Sequence, residues 1–167
     1  MMKTGMSSSA NGSKQATGGN HAEYNSPASR HCSQARKVFR AFVEPDAIAS
    51  WLPPYGYLCT VHELDAKAGG SHKMSFRNFT TGHSHSFGGT YLEVVPGERL
   101  VYTDKFDDPN LPGEMKVTVA LKAVSVGTEI SITQEGVPDI IPTEACYLGW
   151  QDSLHKLAKL VQPEINE

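Results

Sequence analysis

Residues 142–161 read PTEACYLGWQDSLHKLAKLV, and this stretch decides the fold. The apolar side chains recur every three or four positions, which is typical of an amphipathic helix with one buried stripe. They are Tyr147, Trp150, Leu154, Leu157, Ala158 and Val161. The other side of the pattern is polar, and Pro163 prevents much continuation. The spacing therefore predicts a C-terminal helix, the only long helix expected in the chain.

Six strand-like segments precede this helix, separated by turn residues such as Pro96-Gly97. They are predicted at 57–64, 72–79, 84–95, 99–106, 115–122 and 129–137. The short connections favour an antiparallel meander, and Gly88-Gly89 suggests a bulge or bend in the third segment. Two small helices are predicted before the strands, at 34–44 and 47–51. One long helix after many strands predicts an α+β domain whose sheet wraps that helix.

Composition indicates one globular domain. The 167 residues are 39% hydrophobic with a formal net charge of -3, and no basic run points to nucleic acid. No apolar run approaches the roughly 18 residues that a membrane span needs, and the N-terminus lacks the apolar core of a secretion signal. Cys32, Cys59 and Cys146 show no CxxC spacing, which favours reduced thiols in a cytoplasmic protein.

The first 29 residues are rich in Ser, Gly, Asn and Ala and have almost no large apolar side chain. Such a segment cannot bury enough surface to offset the entropy lost on ordering. It is predicted to be a disordered tail, and a mis-assigned start or a non-native extension would equally fit. The folded domain is expected to span residues 30–163.

Several stretches resemble a known family. They are PDAIASWLP at 45–53, ELD at 63–65 with Gly69-Gly70, GTYLEVVPGERLVYT at 89–103, and Gly149-Trp150 with Leu154. Together with the order of elements, these residues resemble the START-like (SRPBCC) superfamily, most closely the branch named after the activator of the heat-shock protein 90 ATPase. The likeness covers about residues 34–162. It implies a helix-grip fold: a curved antiparallel sheet wrapped around the long C-terminal helix, two short helices after the first strand, and an apolar cavity between sheet and helix.

Two positions depart from the family pattern. The span expected to form the first strand, HAEYNSPASRHC at 21–32, does not alternate and contains Pro27. It is predicted to be a poor edge strand or an altered N-terminus, and its loss would leave the last strand with an open edge that invites dimerisation. Much of the broad family has Trp where this chain has Asp104, which either adds a polar group to the cavity or starts the following loop.

Large aromatic residues are the predicted lining of the cavity, although each could also be ordinary core. They are Trp51, Phe76, Phe87, Tyr91, Tyr102, Tyr147 and Trp150. Asn78 and Gln134 are amides on otherwise apolar strand faces, and each needs a hydrogen-bond partner if buried. That partner is a protein neighbour, a water molecule or the polar end of a ligand, and the same choice holds for Asp104.

Metal and catalytic sites are not predicted. His83 and His85 would point to the same face of an extended chain, and His72 is a further candidate, but no Asp, Glu or Cys in the same hairpin completes a metal site, so these are expected to be exposed turn histidines. No nucleophile motif occurs, and the glycine pairs do not match a phosphate-binding loop. No cofactor and no catalytic residue are therefore expected.

Three functions fit this sequence. The favoured one is binding of a small apolar or aromatic ligand in the cavity, without assured catalysis. The second is an enzyme of the polyketide cyclase/aromatase type, in which Tyr102, Asp104 and Gln134 position substrate. The third is a co-chaperone-like domain that contacts a client ATPase through its surface. Ligand identity and oligomeric state, with a homodimer among the options, stay open.

Overall fold

The computed structural model describes residues 2–7 and 27–165, with side chains from residue 34 onward. Three helices are present in these ranges: α1 (Pro27–Val43), α2 (Pro45–Trp51) and α3 (Thr143–Val161). Seven strands are present: β1 (Met2–Ser7), β2 (Tyr57–Leu64), β3 (Ser71–Asn78), β4 (Ser84–Val95), β5 (Arg99–Phe106), β6 (Met115–Val124) and β7 (Gly127–Glu135).

All seven strands form one antiparallel sheet in the order β1-β7-β6-β5-β4-β3-β2. The sheet curls into a half-barrel with α3 packed as the C-terminal helix, which confirms the predicted α+β helix-grip fold. In register, Tyr102 lies opposite Val117, and Val117 lies opposite Gln134. These three side chains therefore form a row across the inner face of the sheet.

The N-terminal segment differs from the sequence prediction. Met2–Ser7 is not a disordered tail but an edge strand that pairs antiparallel with β7, from Met2 opposite Gln134 to Ser7 opposite Glu129. An edge strand is held by main-chain hydrogen bonds, so it needs no apolar alternation of its own. Because β1 covers the edge of β7, the open-edge argument for a homodimer falls away. Residues 8–26 lie outside the described residues, and the domain boundaries stay a prediction.

Helix α1 is longer than predicted, because it has 17 residues and begins at Pro27. Pro27 argues against a first strand at 21–32, and at the first position of a helix a proline costs no hydrogen bond. The prediction of two short helices therefore holds only for α2, which has seven residues. Because α1 is also long, the prediction that α3 is the only long helix is wrong. No helix in the described ranges is long and apolar enough to cross a membrane.

The C-terminal half of α3 packs into the core, where Leu154, Leu157 and Val161 are buried. Two side-chain hydrogen bonds fix this half to the segment after α2. Ser153 Oγ donates to the carbonyl oxygen of Leu52 at 2.5 Å, and Lys156 Nζ donates to that of Pro53 at 2.8 Å. The helix is thus held firmly at one end of the sheet.

The glycine pair in β4 allows close approach of neighbouring backbone. A Cβ at Gly89 would lie 2.1 Å from the carbonyl oxygen of Thr103 on β5, and one at Gly88 would lie 2.4 Å from that of His72 on β3. The register shift in β4 lies further along, between Tyr91 and Glu93. The expected bend is therefore a site of tight strand packing.

Candidate functional site

A cavity of about 440 Å³ lies between the N-terminal half of α3 and the inner face of the sheet. The strands contribute Tyr57, Phe76, His85, Phe87, Tyr102, Asp104, Phe106, Met115, Val117 and Gln134. The helix and the neighbouring loops contribute Leu52, Pro54, Ile141, Ala145, Cys146, Gly149, Trp150 and Ser153. Its volume falls within the roughly 300–1,000 Å³ that small-molecule sites occupy.

Small residues on one face of α3 create this space. Cys146, Gly149 and Ser153 recur at three- and four-residue spacing and face the cavity. A Cβ at Gly149 would meet no atom within 4 Å. The N-terminal half of the helix therefore leaves open the volume that leucines fill in the C-terminal half.

A hydrogen-bonded link joins this half of the helix to the sheet. Trp150 Nε1 donates to Gln134 Oε1 at 3.3 Å, and Gln134 Nε2 lies 3.4 Å from the sulfur of Met115. The amide predicted to need a partner is thus paired with protein groups. It sets the position of the Trp150 ring on the cavity wall.

Aromatic rings form the wall made by β3, β4 and β5. Phe76 and Phe87 meet edge to face with 4.7 Å between ring centroids, and Phe87 lies 6.3 Å from Phe106. His85 lies among them, 5.8 Å from Phe76 and 6.2 Å from Phe106. Burial lowers the pKa of His85, which favours a neutral imidazole on this wall.

A second, water-sized void of about 20 Å³ adjoins the inner end of the cavity. The two spaces share Leu52, Phe87, Tyr102 and Asp104, and His72 and Tyr91 complete the polar lining of the smaller one. The imidazole of His72 lies 5.4 Å from the Tyr91 ring and 5.3 Å from the Tyr102 ring, centroid to centroid. A compact polar cluster therefore closes the inner end of a mainly apolar cavity.

His72 has a fixed tautomer in this cluster. Its Nε2 lies 2.9 Å from the carbonyl oxygen of Thr103, so Nε2 carries the hydrogen and donates. The other ring nitrogen, Nδ1, is then an acceptor, and it is buried without a hydrogen-bond partner among the described residues. Burial lowers the pKa of His72.

Asp104 is the acidic group of the site. It lies in β5 with Leu100, Tyr102 and Phe106 on the same face, as period-two alternation dictates. Its Oδ1 is shielded from solvent and lacks a partner within the described part of the chain. Burial raises the pKa of Asp104 to about 7, and burial, together with this nearby carboxyl, raises the pKa of Tyr102.

Six of the ten predicted site residues line the cavity: Phe76, Phe87, Tyr102, Asp104, Gln134 and Trp150. Tyr91 lines the adjoining void. Asp104 belongs to β5 and faces inward, so it does not start the loop. Large aromatic side chains were the signal that located most of these residues, whereas Gln134 was located by the alternation of its strand face and Asp104 by its departure from the family pattern.

Three predicted residues lie elsewhere. Trp51 is 1% exposed in the core, where its indole nitrogen donates to the carbonyl oxygen of Ala41 at 2.7 Å. Asn78 stabilises the turn after β3, where its Oδ1 accepts hydrogen bonds from the backbone nitrogens of Thr80 and Thr81. Tyr147 is 44% exposed, because one helical step of about 100° separates it from the face that carries Cys146.

Sequence reasoning missed much of the lining. Tyr57 and Phe106 alternate correctly on their strands and could have been found, whereas Leu52, Pro54 and Ile141 lie on connections whose path no pattern gives. The histidines also differ from prediction: His83 is exposed, but His85 faces the cavity and His72 is 4% exposed. No cluster of potential metal ligands occurs among the described residues.

Comparison with known proteins identifies relatives of this chain. A model of the family "Activator of Hsp90 ATPase homolog 1-like protein" matches residues 33–162. An X-ray structure of a protein from Chromobacterium violaceum is 56% identical, with a TM-score of 0.77 over 78% of this chain and 90% of that one.

More distant structures share the fold alone. A Rhodobacter sphaeroides protein is 20% identical with a TM-score of 0.69, covering 77% of this chain and 84% of that one. The solution structure of an AHSA1-like protein from Aeromonas hydrophila is 21% identical with a TM-score of 0.64, covering 80% and 90%. No curated protein matches the chain significantly. On the family match and the 56% identical structure, this chain belongs to the family of Activator of Hsp90 ATPase homolog 1-like proteins.

Proposed function

We propose that the protein binds a small apolar or aromatic molecule in the cavity between α3 and the sheet. The observation that carries this proposal is the cavity itself: about 440 Å³, walled mainly by aromatic and aliphatic side chains, with a few polar groups among them. Such a combination is typical of small-molecule sites, in which apolar walls supply affinity and a few polar groups set orientation.

The walls of the cavity are held in place by specific contacts. Ser153 fixes α3 to the segment after α2, and the Trp150–Gln134 hydrogen bond fixes its N-terminal half to the sheet. A preformed cavity binds its ligand without first spending free energy on ordering its own side chains. This arrangement supports a ligand-binding cavity rather than a core whose own side chains fill the space.

A dye titration tests the proposal. The neutral, polarity-sensitive naphthalene dye prodan should bind the wild-type protein saturably with a blue-shifted emission. Gly149→Trp places an indole in the cavity from a position where a Cβ meets no neighbour, and it should weaken dye binding about tenfold or more.

Leu148→Trp is the matched control, because Leu148 is 56% exposed on the same helix and lies outside the cavity lining. It should bind the dye as the wild type does. Circular dichroism establishes that each variant is folded, and Ala145→Trp fills the same space should Gly149→Trp fail to fold. A folded cavity-filled variant with undiminished dye binding would overturn the proposal.

The other two functions stay predictions. An enzyme of the polyketide cyclase/aromatase type would use the same cavity and lose activity in Gly149→Trp. A co-chaperone-like domain that acts through its surface would keep its activity in that variant. A cytoplasmic location, a homodimer and a chaperone partner also stay predictions.

A further inference from the structure

Building on the proposed cavity, we infer that its ligand is a hydrophobic amine whose ammonium group is held by Asp104 and His72 at the inner end. The apolar body of the ligand would occupy the aromatic part of the cavity. Hydrogen-bonding groups, charged groups and aromatic rings meet at this end of the cavity.

The inner end presents acceptors that need a donor. Asp104 Oδ1 and His72 Nδ1 are both buried without a partner among the described residues, and both side chains line the same small void. His72 Nδ1 accepts only, because the ring hydrogen is on Nε2 and is donated to Thr103. An ammonium group carries three hydrogens and can satisfy both acceptors at once.

The charges of the cavity select a cation. No Lys or Arg occurs among the described residues that line it, and Asp104 is its only carboxyl side chain. A ligand carboxylate would meet Asp104, and Lys73, the cation that acts on Asp104 from outside the lining, is already paired with Asp107. An ammonium would instead form a charge-assisted hydrogen bond in a site partly shielded from water.

The aromatic rings favour the same ligand. Phe87 and Tyr102 belong to both the cavity and the void, and Phe106 faces the cavity from the same strand as Asp104. Aromatic faces attract cations, and the attraction grows as water is excluded. Beyond this polar end, the rings and aliphatic side chains suit an apolar body.

The charged and titratable groups around Asp104 fix the proton balance. Lys73 and His72 approach from β3, Tyr91 and His85 from β4, and Tyr102 and the backbone nitrogen of Lys105 from β5. Of these side chains only Lys73 is charged near neutral pH, and it pairs with Asp107. Glu63 on β2 also acts on His72, and its carboxylate accepts a hydrogen bond from Ser71. An incoming ammonium therefore displaces the proton of a neutral Asp104 carboxyl into solvent, leaving an ammonium–carboxylate pair.

Displacement of bound prodan by three matched ligands tests the inference. 4-Phenylbutylamine, 4-phenylbutanol and 4-phenylbutanoate share one apolar body and differ in the terminal group. In the wild type the amine should bind about 10–100-fold more tightly than the alcohol, because a hydrogen bond to a charged group contributes a free energy of that size. The carboxylate should bind most weakly of the three. Asp104→Asn should remove the preference for the amine.

Asp108→Asn is the matched control, because it removes the same charge from an exposed loop residue and should keep the preference. Calorimetry in two buffers adds a readout on the wild type alone. Amine binding should release a proton at about pH 6 and tighten towards about pH 8 as Asp104 ionises.

The possible failures are distinguishable. Absence of saturable prodan binding would overturn the proposed cavity function itself. Saturable prodan binding that Gly149→Trp blocks, together with an amine no tighter than the alcohol, would overturn only the assignment of an amine. A preference for the amine that survives in Asp104→Asn, or no proton release in the wild type, would also overturn that assignment.

Discussion

Trp150 Nε1 donates a hydrogen bond to Gln134 Oε1 at 3.3 Å, and this contact ties the N-terminal half of α3 to the last strand. The cavity lies beneath it, so the contact sets how far the helix stands from the sheet. Elsewhere in α3, burial of leucines serves the same purpose.

Gln134→Met should therefore loosen the first half of α3. The change keeps the length of the side chain but removes the acceptor of the Trp150 hydrogen bond. We expect a loss of about 1 kcal/mol in the free energy of unfolding by urea, and faster amide hydrogen exchange in α3 before Ser153. Gln151→Met, in α3, is the control. An equal loss of unfolding free energy in Gln151→Met would contradict this role for Gln134.

Two glycine-to-alanine changes should shift the free energy of unfolding in opposite directions. Gly89→Ala puts a Cβ 2.1 Å from the carbonyl oxygen of Thr103, which forces β4 and β5 apart and should cost at least about 2 kcal/mol. Gly149→Ala adds a methyl group to open space within a helix and should gain about 0.5–1 kcal/mol. Thermal and urea unfolding of both variants check the pair, and a tolerated Gly89→Ala would show that the strands are less closely packed than described.

Asp104→Asn should change how stability depends on pH. Burial raises the pKa of Asp104 from 3.8 to about 7, so between these values the folded protein binds more protons than the unfolded chain. The protonated carboxyl therefore stabilises the fold fully below the unfolded-state pKa of 3.8, and this stabilisation is lost as pH rises through the folded-state pKa of about 7. The stabilisation that is lost has an upper bound of about 4 kcal/mol.

The variant should thus match the wild type only below about pH 4 and exceed it by about 1–3 kcal/mol at about pH 8, because an amide never ionises. Other titrating groups, including His72 and His85, contribute equally to both proteins and cancel in the difference. Urea unfolding across this range gives the comparison. Parallel curves for the two proteins would mean that Asp104 ionises as an exposed carboxyl does.

Removal of residues 1–7 should expose the edge of β7. Met2–Ser7 supplies the strand that pairs with it, and an unpaired edge is a template for another chain. We expect concentration-dependent association of the truncated protein in analytical ultracentrifugation and faster exchange of β7 amides. A truncated protein that stays monomeric with protected β7 amides would contradict the pairing.

The sequence located the central strands well, because alternation and turn residues act locally. The predicted bounds of β2, β4 and β5 match the structure. β1 was missed because its sequence, MKTGMS, has no strong apolar alternation, and an edge strand is held by its neighbour's backbone.

The cavity was harder to predict, since it depends on what the helix leaves unfilled. The apolar stripe of α3 suggested Tyr147, but the cavity face is the one that carries Cys146, Gly149 and Ser153. Small residues contribute little to the hydrophobic periodicity of a helix, so the pattern does not reveal the face that they form. The polar inner end depends on a contact across β4, in which the side chain of His72 on β3 reaches the carbonyl oxygen of Thr103 on β5. No local sequence pattern can show such a contact.

The most direct test of the central claim is the nuclear magnetic resonance spectrum of the protein titrated with prodan. Binding in the cavity should shift the indole N–H of Trp150 and the methyl group of Met115, and it should produce nuclear Overhauser effects between these protons and the dye. Saturable binding that perturbs only Tyr147 and Leu148 on the exposed face of α3, with Met115 unchanged, would contradict the claim.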